Sequence, residues 1–309
     1  MERQKIFPVL FAVLLAASVF LGVYFLVMYR NINYLPEEGL DDLCEILASD
    51  GILLDKGIVP LKKEKGTVYV CDSEEYGVRV AGQLGESEIK YRFAVPDGEM
   101  ILLQNGVLLA FGEDFFFRYR LDETTSYTDV ALDEAFFADQ NILTPHQAAK
   151  ECDAAKAFLE RGSSGFLKQD QLKLAIEVGS VSEKDGVYYI ECIRTIDGLR
   201  INGNRVICAV VNGVVAEAAG IWSFLSGGET YSSQLTDIFN ILFSMKKEIE
   251  KRRASEELPV VTVKGIERCY TLLLSGETGG LGFVPCWKIV TEECGNFVYN
   301  AIDGSLCTE

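Results

Sequence analysis

The chain has 309 residues, a formal net charge of −17 and 49% hydrophobic residues. So high an apolar content excludes an intrinsically disordered chain, and a chain of this length can bury a real core and form two domains. The negative charge would repel nucleic acid and anionic lipid headgroups, so we expect no nucleic-acid partner.

The first predicted element is an apolar segment. Ile6 to Tyr29 form 24 consecutive positions without a charged residue. A bilayer core of roughly 30 Å needs about 20 apolar residues in a helix. We therefore expect residues 1–30 to be a cytoplasmic stub and a transmembrane anchor. A cleaved signal peptide is the alternative, with small residues at Ala16-Ala17-Ser18, but the run exceeds the roughly 7–15 residues of a signal-peptide core.

Basic residues at the two ends of the apolar segment predict its orientation. Arg3 and Lys5 precede it, whereas only Arg30 follows closely. The positive-inside rule then places the N-terminus in the cytoplasm and the remainder of the chain outside the cell. We expect a single-pass protein of the cell membrane whose C-terminal domain is extracellular.

Small residues recur along the apolar segment at a spacing of four. Ala12 and Ala16 form one pair, and Ser18 and Gly22 form another. Small residues at this spacing allow transmembrane helices to approach closely. The two pairs lie on different helix faces, which predicts packing against two partner helices. Small residues are also common in apolar helices, so a chance spacing stays open as the alternative.

Residues 36–125 are predicted to form a first external α+β unit. A short helix begins after Pro36, because Leu40, Leu43 and Leu47 recur at helical spacing. Residues 52–60 are predicted to be extended. Asn105-Gly106 between apolar runs is a strong hairpin signal. The predicted strands of this unit are 67–71, 76–81, 89–95, 100–103, 107–111 and 115–120.

The acidic segment 122–139 is predicted to join this unit to a second external unit at residues 140–309. Thr144 as N-cap and Pro145 at the first helical position predict a helix over 145–161. Turn residues between alternating runs then predict an antiparallel meander, followed by an amphipathic helix and a C-terminal hairpin. The predicted elements are strands 172–180, 186–195, 205–211 and 214–222, helix 236–253, strands 269–274 and 284–291, and hairpin 297–307.

This order of elements predicts an α+β fold. We expect an N-terminal transmembrane helix followed by two units, each of them an antiparallel sheet with helices packed on it. Each unit then resembles a loose structural repeat of the other, without a sequence repeat of fixed period.

His146 is the only histidine of the chain and the first candidate for catalytic chemistry. Any Ser-His or Cys-His machinery would have to use it. Its place in the predicted first helical turn favours an exposed helix start instead. The Gly-rich segment 275–282 leads into a strand and not a helix, so it is predicted to be a hairpin loop and not a phosphate cradle. We therefore expect no catalytic residues, no cofactor and no metal.

The nine cysteines leave two interpretations open. An oxidising exterior favours disulfides, although an odd number cannot pair fully within one chain. Scattered cysteines without metal-site spacing are also typical of small buried hydrophobic residues. If one disulfide forms, Cys286 and Cys294 are the predicted pair, because they could face each other across a hairpin.

Basic residues crowd the C-terminal end of the predicted helix 236–253. Cations at a helix C-terminus offset the helix dipole, which is the structural explanation. The functional explanation is a docking patch for an acidic partner or an anionic wall polymer. The residues of this basic patch are Lys246, Lys247, Lys251, Arg252 and Arg253.

The C-terminal residues resemble a known family. Pro285-Cys286-Trp287-Lys288-Ile289 is followed by Tyr299-Asn300-Ala301 and Gly304. This strand and hairpin resemble the end of the YycH/YycI regulatory proteins, and are broadly similar to PepSY-type modules. Residues 47–60 also resemble the opening of the external part of YycI. The resemblance covers most of the chain in layout, but it is specific only over residues 283–304.

The resemblance implies a binding protein and not an enzyme. Members of this family are membrane-anchored accessory proteins of the WalK/YycG sensor histidine kinase, which controls cell-wall metabolism. The implied partners are the membrane, the kinase and a related anchored regulator. Pro285, Trp287, Tyr299, Asn300 and Gly304 are then expected to fix the C-terminal fold. A PepSY-like anchored inhibitor or chaperone of an exported hydrolase is the alternative, and an exported enzyme acting through Cys or Asp is a third.

Overall fold

A computed structural model describes residues 3–71, 76–85, 87–96, 98–112, 115–122, 137, 141–163, 174–224, 227–255, 257–274 and 281–307. The fold is mixed α+β, as predicted. The helices are α1 (Arg3–Asn33), α2 (Glu37–Ser49), α3 (Tyr76–Gly85), α4 (Ala149–Ser163) and α5 (Ile238–Ser255), with a 3-10 turn at Lys56–Ile58.

The strands divide between the two halves of the chain. The first seven are β1 (Ile52–Leu54), β2 (Lys65–Cys71), β3 (Ile89–Val95), β4 (Gly98–Leu103), β5 (Leu108–Gly112), β6 (Phe116–Arg120) and β7 (Asn141–Leu143). The others are β8 (Leu174–Lys184), β9 (Val187–Ile196), β10 (Leu199–Val211), β11 (Val214–Ile221), β12 (Gly227–Gln234), β13 (Val261–Leu274), β14 (Leu281–Thr291) and β15 (Asn296–Asn300).

The chain forms two compact units that interleave along the sequence. Unit 1 consists of Met1–Gly66, Ser232–Glu267 and Trp287–Glu309, and unit 2 consists of Thr67–Tyr231 and Arg268–Cys286. These units differ from the predicted boundaries of 36–125 and 140–309. The division falls inside β2, β12, β13 and β14, so each of these four strands contributes residues to both units.

Unit 1 is built on a core of helix and strand side chains. α2 buries Leu40, Leu43 and Leu47, at the spacing that predicted this helix. The apolar stripe of α5 joins the same core, together with Trp287. β1 pairs with β13 in parallel, with Ile52 opposite Val261. The stripe of α5 consists of Ile238, Ile241, Leu242, Met245 and Ile249.

Unit 2 is built on an antiparallel sheet. Its strands pair in the order β8, β9, β10, β11, β6, β5, β4 and β3, and β7 pairs with the free side of β8. Helices α3 and α4 contribute to the core on one face of this sheet. Parallel pairing also occurs, because Ile201 of β10 lies opposite Tyr270 of β13. The predicted meander and the hairpin at Asn105-Gly106 are confirmed.

The turns of the meander explain why it could be predicted. Asp197 and Asn212 have φ values of 50° and 52°, and the glycine that follows each of them has a φ of 79°. Two consecutive positive φ values are the geometry of type I′ hairpin turns, which Asn-Gly and Asp-Gly adopt most readily.

Two predicted elements are wrong. Residues 76–81 were expected to be a strand, but they begin helix α3. Val78 and Val80 alternate locally, yet Gly77, Val80, Ala81 and Leu84 are buried at helical spacing. The helix predicted over 145–161 is α4, which begins at Ala149 and not at Pro145. Residues 145–148 form turns, and the Cys152 amide donates to the Ala148 carbonyl.

Over the part of the chain that the structure describes, no helix is both long enough and apolar enough to cross a membrane.

A close approach between β10 and β11 gives a test of this fold. A Cβ at Gly220 would lie 2.2 Å from the Arg205 carbonyl oxygen, whereas a Cβ at Gly265 meets no atom within 4 Å. Gly220→Ala should therefore lower the free energy of unfolding by about 1–3 kcal/mol. Gly265→Ala is the matched control and should leave it unchanged or raise it slightly. Denaturation followed by fluorescence of Trp222 and Trp287 measures both, and equal effects would contradict the described pairing.

Candidate functional site

Helix α1 presents apolar side chains to its surroundings on all faces. Every described side chain over residues 14–30 is exposed. Phe20 is 72% exposed and Leu26 is 69% exposed. An ordinary water-soluble helix buries one apolar stripe against a core. α1 buries no such stripe over these residues, so it is a surface that another apolar phase or partner must cover.

The small residues of α1 lie in this exposed segment. Ala16, Ser18 and Gly22 are exposed, and a Cβ at Gly22 would meet no atom within 4 Å. The Ser18 hydroxyl donates to the Leu14 carbonyl over 2.8 Å, so its polar group is satisfied within the helix. Ala12 lies in α1, but its side chain is outside the described residues.

The end of α1 is attached to the rest of unit 1 by backbone hydrogen bonds. The Leu35 amide donates to the Leu61 carbonyl over 2.8 Å, and the Lys63 amide donates to the Asn33 carbonyl over 2.7 Å. Arg30 forms an ion pair with Glu37 at 2.7 Å. These contacts fix where the exposed helix leaves unit 1.

The basic patch of α5 makes contacts inside unit 1. Arg253 donates to the carbonyls of Asp50, Gly51 and Pro259. Lys246 pairs with the carboxylate of Asp50 at 3.0 Å. These contacts hold the C-terminal end of α5 against the turn that follows α2.

The other basic side chains of α5 differ in their surroundings. Arg252 donates to the Cys294 carbonyl over 3.2 Å and lies 4.7 Å from the ring centre of Phe297. Lys251 pairs with Glu248 at 3.1 Å. Lys247 is exposed. Four of the five residues of the predicted docking patch therefore make contacts within unit 1. Docking by this patch stays a prediction.

Trp287, Tyr299, Asn300 and Gly304 lie in the core and the final hairpin of unit 1, whereas Pro285 lies in the part of β14 that belongs to unit 2. Trp287 and Tyr299 are 4% and 1% exposed. Among the described residues, the indole nitrogen of Trp287 and the hydroxyl of Tyr299 have no hydrogen-bond partner. Both side chains therefore contribute mainly by filling the core. Burial raises the pKa of Tyr299, so its hydroxyl stays protonated.

Asn300 and Gly304 shape the terminal turn. The Asn300 side-chain oxygen accepts from the Ile302 amide over 2.9 Å, and the Gly304 amide donates to the Asn300 carbonyl over 2.9 Å. Gly304 has a φ of 76°, a conformation that favours glycine. Pro285 is buried in β14.

The sequence candidates for chemistry are scattered. His146 is exposed in the turn before α4. The Gly-rich loop 275–282 and the joining segment 122–139 lie largely outside the described residues. Among the described residues, no group of three or more His, Cys, Asp and Glu side chains could hold a metal ion.

The cysteines do not form the predicted disulfide. Cys286 and Cys294 are not joined, and no other disulfide links the described cysteines. Burial raises the pKa of Cys71 to about 12, and it also raises the pKa values of Cys44 and Cys152. These thiols stay protonated at neutral pH, and a protonated thiol is a poor nucleophile.

Unit 2 encloses a buried arginine. Arg194 is 2% exposed, donates to the Ser223 hydroxyl over 3.2 Å and lies 5.5 Å from the ring centre of Phe283. The Ser223 amide and hydroxyl both donate to the Asn204 side-chain oxygen, over 2.9 Å and 2.8 Å. Burial lowers the pKa of Arg194 to about 10, so it still carries its charge at neutral pH. The sequence pattern gave no signal for this cluster.

The strand β3 is a further exposed surface, and no sequence motif indicated it. All seven residues of Ile89–Val95 are exposed. Their alternation predicted a strand, but it could not show that the strand lies at the end of a sheet.

No family model matches this chain, and no curated protein matches it in sequence.

The contacts of Arg253 predict a structural role that can be measured. Arg253→Ala removes a charged donor from three carbonyls and should lower the free energy of unfolding by about 1.5–3 kcal/mol. Lys247→Ala is the matched control on the same helix and should change it by less than about 0.5 kcal/mol. Chemical denaturation checks both values. If Arg253→Ala left the free energy of unfolding unchanged and only weakened binding of a partner, the patch would be a docking surface.

Proposed function

We propose that this protein is a single-pass membrane regulator that binds a partner through its anchor and its external domain. The observation that supports the anchor is the exposure of apolar side chains on all faces of α1 over residues 14–30. The proposal uses the whole uncharged run from Ile6 to Tyr29, which includes side chains outside the described part of the helix.

A lipid bilayer is the phase that fits such a surface. Burial of apolar area contributes roughly 25 cal/mol per Å², so exposure of an entire apolar helix to water would be strongly unfavourable. A partner protein in water would normally cover one face, whereas lipid covers all faces alike. The basic residues before the helix favour a cytoplasmic N-terminus, which places both units outside the cell.

We further propose that the partner is a sensor histidine kinase that controls cell-wall metabolism. The support is the resemblance of residues 283–304 to the YycH/YycI regulatory proteins. The resemblance implies that these C-terminal residues fix a fold, and Trp287 and Tyr299 lie in the core of unit 1. The PepSY-like inhibitor or chaperone of an exported hydrolase is the second candidate, on the same resemblance.

The anchor can be tested by extraction with alkaline carbonate. The full-length chain should stay in the membrane fraction, because a spanning helix resists this wash. Val19→Lys combined with Leu21→Lys should release it, since each lysine near the helix centre costs about 2.5–3.5 kcal/mol of insertion free energy. Val19→Leu combined with Leu21→Val is the apolar control. Release of the unmodified chain into the soluble fraction would exclude the anchor.

The partner can be tested by crosslinking in living cells. The full-length chain, tagged at its C-terminus, should recover a sensor histidine kinase or a second anchored protein of the same build, identified by mass spectrometry. Ala16→Leu with Gly22→Leu should reduce this recovery if the helix packs through its small residues. Val27→Leu, at an exposed position of the same helix, is the control. Recovery of a secreted hydrolase alone would favour the inhibitor.

A further inference from the structure

The strand β3 is the last strand of the sheet of unit 2 over the described residues. It pairs with β4 on one side, and no described strand pairs with its other side. An edge of this kind presents unpaired backbone amides and carbonyls, to which an extended segment of another chain can add.

One face of β3 carries a row of exposed apolar side chains. Phe93 lies opposite Met100 and Tyr91 opposite Leu102, and paired residues share a face of the sheet. Tyr91 and Phe93 are 53% and 50% exposed, and their ring centres lie 5.9 Å apart. Val95, which is 37% exposed, continues the row. An added strand would therefore meet apolar contacts on this face.

The other face of β3 carries a cation beside a cavity. Arg92 lies opposite the buried Ile101 and donates to the Glu99 carboxylate over 2.5 Å. The Arg92 side chain is 57% exposed although it is paired. A cavity of about 720 Å³ is lined by Arg92, Glu99, and residues Tyr76 and Gly77 at the start of α3.

The position of Glu99 leaves Arg92 accessible. A Cβ at residue 77 would lie 1.8 Å from a Glu99 carboxylate oxygen, so glycine at this position lets Glu99 lie flat against the start of α3. The pair therefore lies at the wall of the cavity, where the Arg92 side chain is still 57% exposed.

We propose that β3 binds an extended segment of a partner protein in which apolar and acidic side chains alternate. The segment adds as a strand, places an acidic side chain on the Arg92 face, and packs apolar side chains against Tyr91 and Phe93. Charge complementarity supports this choice: β3 has two basic residues and no acidic one, in a chain with 46 acidic and 29 basic residues.

The length of the segment follows from the pairing of β3. The register with β4 shifts between Ile89 and Tyr91, which marks a bulge at Lys90. The Lys90 ammonium lies 5.5 Å from the ring centre of Tyr91. The regular edge is therefore 91–95, which accommodates about five residues of an added strand. This binding goes beyond the proposed anchoring, because β3 belongs to unit 2 and the contact requires no lipid.

The test uses a synthetic peptide as the probe. A labelled, end-capped peptide of about ten residues that alternates valine and glutamate is titrated against the full-length chain in detergent micelles, with anisotropy as the readout. It should bind, and amide hydrogen exchange should slow at residues 91–95. A peptide that alternates valine and lysine should bind at least about tenfold more weakly, because its cations would face Arg92.

Charge reversal identifies the recognising residue. Arg92→Glu should weaken binding of the glutamate peptide by at least about tenfold and strengthen binding of the lysine peptide. Arg92→Gln removes the charge without placing a second carboxylate beside Glu99. It should also weaken binding of the glutamate peptide. Arg200→Glu is the matched control, since Arg200 forms an exposed pair with Glu177 at 2.6 Å in the same unit.

Four results would overturn the proposal, and the first three concern a glutamate peptide that does bind. These are equal binding of the two peptides, equal effects of Arg92→Glu and Arg200→Glu, and no slowing of exchange at residues 91–95 when the glutamate peptide is saturating. Absence of measurable binding of the glutamate peptide is the fourth such result. It would indicate that β3 is an edge strand that does not pair with other chains. Membrane extraction is measured separately, so failure of the anchor and failure of this edge are distinguishable.

Discussion

The constraint on which the rest of the structure depends is that two late strands each serve two cores. β13 places Val261 and Val263 in the core of unit 1 and Tyr270 in a core of unit 2. β14 places Phe283 in unit 2 and Trp287 in unit 1. The core of unit 1 and this smaller core of unit 2 are therefore complete only once β13 and β14 have been made, whereas the largest core of unit 2 uses residues 80–224. A change in either strand should consequently affect the packing of both units. Domains that follow one another along a chain do not usually share strands in this way.

Several arginines of this acidic chain bind backbone carbonyls or buried carboxylates. Glu217, with a side chain 1% exposed, accepts from Arg118 over 2.9 Å and from Arg120 over 3.2 Å. Arg253 holds three carbonyls of unit 1. A buried charge is tolerated only when it is paired and hydrogen-bonded, so these arginines are needed where they are.

Local patterns in the sequence predicted the local elements and failed where distant residues decide. The stripe of α5 and the Asn-Gly and Asp-Gly turns depend on neighbours in sequence, and they were predicted correctly. Helix α3 was missed because six residues with alternating valines resemble a strand, while its helical face is defined by packing against the sheet. The contacts of Arg253 with Asp50 and Gly51 join residues about two hundred positions apart, which no local pattern can indicate.

The two candidate surfaces differ in the kind of partner that each can accept. The exposed side chains of α1 over residues 14–29 are almost all apolar and lie on every face, which would suit an apolar phase that has no preferred direction, such as lipid. The strand β3 alternates apolar and basic side chains and offers directional backbone groups, so it selects for one extended chain in one register. A surface of the first kind localises a protein, and a surface of the second kind identifies a partner. The proposed regulator, held at a membrane and recognising one protein there, would need both properties, and the two candidate surfaces lie on different elements of this chain.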